Sequence, residues 1–308
     1  MPLYRQMQRF ERGGVKLSYS TLSDWISSTC KLITPLYEAL KAQVLQTTYL
    51  QVNETPIKVL DKDKKGASHR GYYWGYCSSA EKIVFFDYQP GCGREGPMEI
   101  LENFAGYLQT DGYAVFDVFD RRENITLLHC MALARRMFNE ALENEAARAG
   151  YAMEQIQNLY SIERICKEEN LNFAEIKEVR RQKSAPILKS LGQWMKEQYM
   201  QVTPKNTIGK ALAYSIGRWK SLSHYTENGM LNIDNNPVEN SIRPVALGRK
   251  NYLFCGSHEA AQRSAMLYSL LGTCKMHGRT ICLVKKYAEK IAAHPITRIQ
   301  ELLPYHNK

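Results

Sequence analysis

The sequence predicts a mixed α/β fold carrying an inserted helical region, and three observations predict it. Residues 48 to 89 hold three β-branched and aromatic runs, "TYLQVNETPIKVL", "RGYYWGYCS" and "EKIVFFDYQ", separated by the polar turns "DKDKKGAS" and "SSA". Two more strand-like segments follow, "YLQTDGY" and the start of "ENITLLHCMALARRMFNEAL", the latter running straight into a helix. Residues 140 to 228 then read as helix almost throughout, with charged faces and only Pro186 and Pro204 as interruptions.

Taken in order, "LYRQMQRFERGGVKLSYSTLSDWISSTCKLI" reads as a helix, a Gly-Gly break and a second helix that Ser20 or Thr21 could cap. A short helix, a glycine turn and a Ser/Thr-rich helix resemble the last part of a helix-turn-helix, as any helical hairpin does. "TPLYEALKAQVL" continues as an amphipathic helix with Leu36, Leu40 and Val44 on one face. Short loops between the first three strands make them an antiparallel meander, and "GPMEILENFAG" is a helix. A weak strand signal lies near "GMLNI", and the end is helical again in "NPVENSIRPVAL", "SHEAAQRSAMLYSLLGTCKMHG" and "ICLVKKYAEKIAA". The expected regions are a helical N-terminal part (1–46), the first part of an α/β core (47–139), a helical insertion (140–230), and a core completion with an acidic helix and basic C-terminal helices (231–308).

Composition bounds the function. Of 308 residues, 44% are hydrophobic and 23% charged, the balance of a globular chain. The net charge of +10 is uneven: Ser241 to Lys308 hold 11 basic and 3 acidic residues. Such a basic end suits a polyanion, of which nucleic acid is the commonest, and equally suits a plain solvated surface. The eight cysteines form no CxxC pair and no zinc-finger spacing, so buried, reduced thiols are expected. "MPLYRQMQRFERGG" has no apolar signal core, and no stretch approaches the roughly 20 apolar residues of a membrane span. A soluble cytoplasmic protein, associated with the nucleoid if it binds DNA, is the expectation.

Phosphodiester chemistry on DNA commonly uses two divalent cations about 4 Å apart, and hard cations need converging carboxylate oxygens. Asp111 precedes Gly112 where a strand ends, so its side chain can face a cleft, although Asp-Gly is also an ordinary turn. In "NIDNNPVENSIRPVALGRKNYLFCGS", Asp234 or Asn235 could cap a helix that Pro237 opens. Glu239 would lie in its first turn, with Arg243 four residues on as an ion-pair partner. Arg249 and Lys250 would then stand beside an acid able to hold metal near phosphate.

"DNNPVENSIRPVALGRKNYLFCGS" resembles the C-terminal signature of insertion sequence 66 family transposases, and "NETPIKVL", "LQTDGYAVFD" and "HCMALARRMF" match that family's other blocks in order. The resemblance implies a ribonuclease-H-like mixed sheet with flanking helices, a DDE triad holding Mg²⁺ (or Mn²⁺), and cleavage and strand transfer at transposon ends. There, activated water would cut a terminal phosphodiester, and the freed 3′-hydroxyl would attack target DNA. It also implies double-stranded DNA as partner, in the form of transposon ends and target, and a homo-oligomer assembled on it. Carried over residue by residue, the triad falls on Asn53, Asp111 and Glu239. The chain departs where the family has Asp before Glu-Thr-Pro, and again at Met131 and Leu133, where the family typically has Trp and His. Members usually extend further at the N-terminus, so the chain is expected to start inside the helix-turn-helix region.

An amide at position 53 offers one neutral oxygen and an NH₂ group that repels a cation. One lost charge at about 4 Å and an effective dielectric of ~20 is worth roughly 4 kcal/mol before water and other ligands reduce it. Glu54 is no substitute, because neighbouring strand residues face opposite sides. Two other readings follow: a catalytically inactive DNA-binding relict or regulator, and a metal-dependent nuclease with no end preference. Arg135 and Arg136, on a helix near Asp111, are candidate phosphate contacts with Arg243, Arg249 and Lys250. His129 could touch DNA or scaffold the cleft, or is a partly buried strand-end histidine. Trp194, Trp219, Tyr199 and Tyr214 are expected in the core of the insertion.

Overall fold

A computed structural model describes residues 2–60, 67–279 and 289–305. The turn "DKDKKG" and most of the expected helix "ICLVKKYAEKIAA" lie outside the described residues. The fold is mixed α/β. The described residues form five strands, β1 (Tyr49–Leu60), β2 (Ser68–Ser78), β3 (Ile83–Gln89), β4 (Gly106–Thr110) and β5 (Ile125–His129), with β1 to β3 antiparallel in the order β3-β2-β1 and β4 parallel to β5. The chain divides into two compact units, Met1–Phe104 with Asn236–Lys308, and Ala105–Asn235.

In the first unit, β1, β2 and β3 are the expected antiparallel meander, with Asn53 opposite Gly75 and Gly75 opposite Phe86. Alternation puts Ile57, Val59, Tyr73, Cys77, Val84 and Phe86 on one face, where they pack against Val238, Ile242 and Val245 of α10 (Asn236–Tyr252). The helix α11 (His258–Met276) shields the backbone of β3: Phe86 N–H donates to Ser269 Oγ at 2.7 Å and Val84 N–H to Thr273 Oγ1 at 3.1 Å. Gly272 permits this approach, since a Cβ there would stand 2.8 Å from Val84 Cγ1. Strand N–H groups left open would otherwise invite foreign pairing.

The opposite face is covered by α2 (Tyr19–Leu45), which buries Ile33, Leu36, Leu40 and Val44, and whose Tyr37 hydroxyl donates to Phe86 O at 2.9 Å. The cap of α2 is Ser18, not Ser20 or Thr21; its Oγ accepts the Thr21 N–H at 3.0 Å, and the helix runs unbroken through Pro35. Before it, α1 (Leu3–Arg12) has no buried residue and ends at Gly13 and Gly14. The short α3 (Glu95–Ile100) follows β3.

In the second unit β4 and β5 are parallel, with Thr110 opposite His129, and α4 (Met131–Ala141) follows β5 directly. Between the strands lies a 3₁₀ segment, Ala114–Arg121, that buries Phe116 and Phe119. The insertion comprises α5 (Ala146–Glu168), α6 (Phe173–Val179), a π-helical turn Arg180–Ser184, α7 (Ala185–Tyr199), α8 (Thr207–Gly217) and α9 (Trp219–Ser223). At its centre is Arg180, 2% exposed, with Nε and Nη2 on the Glu163 carboxylate at 2.8 and 2.6 Å. The same guanidinium donates to the carbonyls of Tyr225, Asn228 and Leu231. Of these acceptors only the Leu231 carbonyl lies in the "GMLNI" stretch, which forms no strand. Among the described residues seven cysteines are free, six of them buried, and no helix is long and apolar enough to cross a membrane.

Candidate active site

Each unit carries part of the expected triad. In the first, Asn53 sits in mid-β1 with the odd-numbered side chains that face α10. A Cβ on its cross-strand partner Gly75 would lie 3.5 Å from Ile242 Cγ1, one helical turn past Glu239. Asn53 and Glu239 therefore belong to one face of the first unit, on elements packed together, while Glu54 points to the other face. Glu239 is exposed in the first turn of α10, where the helix dipole favours a carboxylate. The Asn53 side-chain oxygen accepts the Glu54 N–H at 2.8 Å. That oxygen is the one side-chain atom through which Asn53 could bind a cation.

In the second unit β4 stops at Thr110, one residue before the expected end, and Asp111 opens a turn. Its Oδ1 accepts the Tyr113 N–H at 2.9 Å, and Gly112 takes φ +91, a conformation that favours glycine. Two residues of the insertion clasp this turn. The Tyr214 hydroxyl donates to Asp111 O and Arg218 Nη2 to Gly112 O, each at 3.2 Å. The Arg218 guanidinium also lies 4.7 Å from the Tyr214 ring centroid. A Cβ at position 112 would meet the Tyr214 hydroxyl at 2.5 Å. None of the four aromatics expected in the core of the insertion is fully buried: Tyr214 holds the Asp111 turn, Trp194 packs 4.5 Å from the exposed Tyr151 ring, Trp219 closes over Gly192, and Tyr199 is half-buried.

His129, paired with Thr110 across the β4–β5 ladder, is 5% exposed, and neither ring nitrogen has a hydrogen-bond partner among the described residues. Its burial matches the plain expectation of a strand-end histidine. Burial, with Arg218 adding to it and Asp120 opposing, pushes its pKa down to about 4, so it is neutral at pH 7.

Of the expected cations, Arg135 and Arg136 are exposed on α4, and Arg243 and Lys250 on α10. The expected Glu239–Arg243 ion pair does not form: Arg243 has no partner among the described residues. An exposed i,i+4 pair is worth only about 0.3–0.5 kcal/mol, too little to hold two solvated side chains together. Arg249 donates to the Pro56 carbonyl of β1, which ties the end of α10 to the strand carrying Asn53.

Among the described residues no three His, Cys, Asp or Glu side chains come together as a metal site. The triad positions supply two carboxylates and one amide whose oxygen is already hydrogen-bonded, a donor set one charge short of what a two-metal centre requires. Sequence reasoning missed Tyr214 and Arg218 as turn-holding residues, and Arg180 altogether. Tyr214 and Arg218 lie about a hundred positions from Asp111, and no spacing rule links them.

Comparison with known proteins gives a consistent result. The profile described as "Transposase IS66 family" matches residues 1–263. Three uncharacterized proteins of Sinorhizobium fredii, y4hP, y4qI and y4jD, are each 27% identical to the chain over its whole length. The chain spans 59%, 60% and 63% of their respective lengths. No solved structure matches.

Proposed function

The chain belongs to the IS66 family of transposases, and from that premise we propose that it binds double-stranded DNA as a DDE transposase whose metal-dependent cleavage and strand transfer are impaired by Asn53. The observation that carries this reading is the amide at position 53, on the β1 face that packs under the helix bearing Glu239, with its oxygen accepting a backbone N–H. Three antiparallel strands followed by a parallel pair support a ribonuclease-H-like core. Asp111 and Glu239 are the carboxylates that would hold Mg²⁺ or Mn²⁺, with Asn53 adding a neutral oxygen. Arg135, Arg136, Arg243 and Lys250 are exposed cations suited to DNA phosphates, and Arg249 is partly committed to Pro56. Pairing of DNA ends would require a homo-oligomer.

The same amide favours a second reading, a catalytically inactive DNA-binding relict or regulator of transposition. Nicking of a duplex carrying the element's ends, with Mn²⁺ present, separates the two. We expect little cleavage by the chain as it stands and an increase of roughly 100-fold or more in Asn53→Asp, since each ~1.4 kcal/mol restored is a factor of ten. If Asn53→Asp also fails to nick DNA that it binds, the inactive reading stands and the impaired-enzyme reading falls.

A further inference from the structure

The first unit holds a cleft of about 1180 Å³ that the triad does not use, formed by α1, the start of α2 and the connection between α10 and α11. It exceeds the roughly 300–1,000 Å³ of a small-molecule pocket. Its lining includes Arg5 and Arg263 and no aspartate or glutamate. Arg263 is half-buried and makes no hydrogen bond or ion pair among the described residues, so the cleft contains a guanidinium that lacks an anion. Arg5, Arg9 and Arg12 recur at i, i+4 and i+7 along α1, which extends the positive lining as a stripe on a helix with no buried residue. Arg5 reaches Asn251 Oδ1 at 3.3 Å, while Arg9 and Arg12 have no partner among the described residues.

The cleft is also aromatic. Tyr4, Tyr19 and Phe254 line it at 61%, 57% and 44% exposure. Phe254 is presented by Leu253, a bulky residue held at φ 60, where side chains of that kind rarely go. Unpaired cations beside exposed rings are the two components of a surface for unpaired nucleic acid, in which phosphates meet the charges and bases stack on the rings. A duplex keeps its bases stacked on one another and offers such rings nothing.

We infer that this cleft binds an unpaired end of a DNA strand, with phosphates on Arg5 and Arg263 and bases against Tyr4, Tyr19 and Phe254. The inference rests on the DNA-directed reading of the chain but not on its metal chemistry. The test is fluorescence anisotropy with the full chain and no divalent cation. It compares a blunt labelled duplex with the same duplex carrying a 3′ overhang of a few deoxynucleotides. The overhang should tighten binding by about tenfold, the scale of one stacked base. That preference should vanish in Phe254→Ala and in Arg263→Gln, with blunt-duplex binding and melting temperature unchanged. Phe254 is exposed, so its variant keeps the test open if Arg263→Gln fails to fold. Equal binding of blunt and overhanging duplexes overturns the cleft while leaving duplex binding intact. A stronger gain from a ribonucleotide overhang overturns its assignment to DNA. Absence of any DNA binding sinks both the cleft and the proposed function.

Discussion

Asp111 is held through its backbone as much as through its side chain. Tyr214 and Arg218 bind the carbonyls of Asp111 and Gly112, and a Cβ at position 112 would collide with the Tyr214 hydroxyl. Gly112→Ala should therefore destabilise the protein by more than about 1 kcal/mol, through both φ strain and the collision. In a Tyr214→Phe background the collision is gone, so the same substitution should cost less. Additive melting shifts in the double variant would show that Tyr214 does not restrain the turn. His129 gives a pH signature at the same scale. The unfolded chain takes up the imidazole proton near 6.5 and the folded chain only near 4. Between those values the unfolded state binds more protons, so stability falls as pH is lowered through the window, by up to about 3 kcal/mol. His129→Phe should flatten that part of the urea stability profile, and an unchanged slope would place the acid sensitivity elsewhere. The expected triad positions were named from contiguous blocks such as "NETPIKVL" and "LQTDGYAVFD", through the family resemblance. Tyr214 and Arg218 were not, because their role exists only once α8 has folded against the Asp111 turn.

At the scale of elements, the strands were readable because β-branched and aromatic runs between polar turns leave few alternatives, and β1 to β3 formed as expected. Boundaries were less readable. Ser18 caps α2 ahead of the expected residues, since several Ser/Thr side chains in succession could each accept the same N–H groups. The 3₁₀ segment Ala114–Arg121 went unread because its register is set by burial of Phe116 and Phe119 rather than by local propensity. The insertion turns on Arg180, whose five donor contacts join the Glu163 carboxylate to three carbonyls leading toward Asn235. Arg180→Ala leaves the half-buried Glu163 carboxylate and three carbonyls without their donor and should cost about 3 kcal/mol. Arg180→Lys should recover little, because an ammonium cannot reproduce the planar fork. A lysine variant as stable to urea as the parent would contradict this account of the insertion.

At the scale of the whole molecule, the expected triad positions are apportioned by unit: Asn53 and Glu239 belong to the first and Asp111 to the second. The family was legible because several ordered blocks occur along most of the chain, whereas activity was not, because in the proposed reading it turns on a single amide. That amide is the central claim, and calorimetric titration of Mn²⁺ into the chain and into Asn53→Asp tests it most directly, since no knowledge of DNA ends is needed. Appreciable binding by Asn53→Asp, with binding by the parent weaker by about 100-fold or more, is the outcome this account predicts from roughly 3 kcal/mol of lost attraction. Equal, appreciable binding by both would contradict it, by showing that position 53 is tolerated as an amide or takes no part in holding the metal.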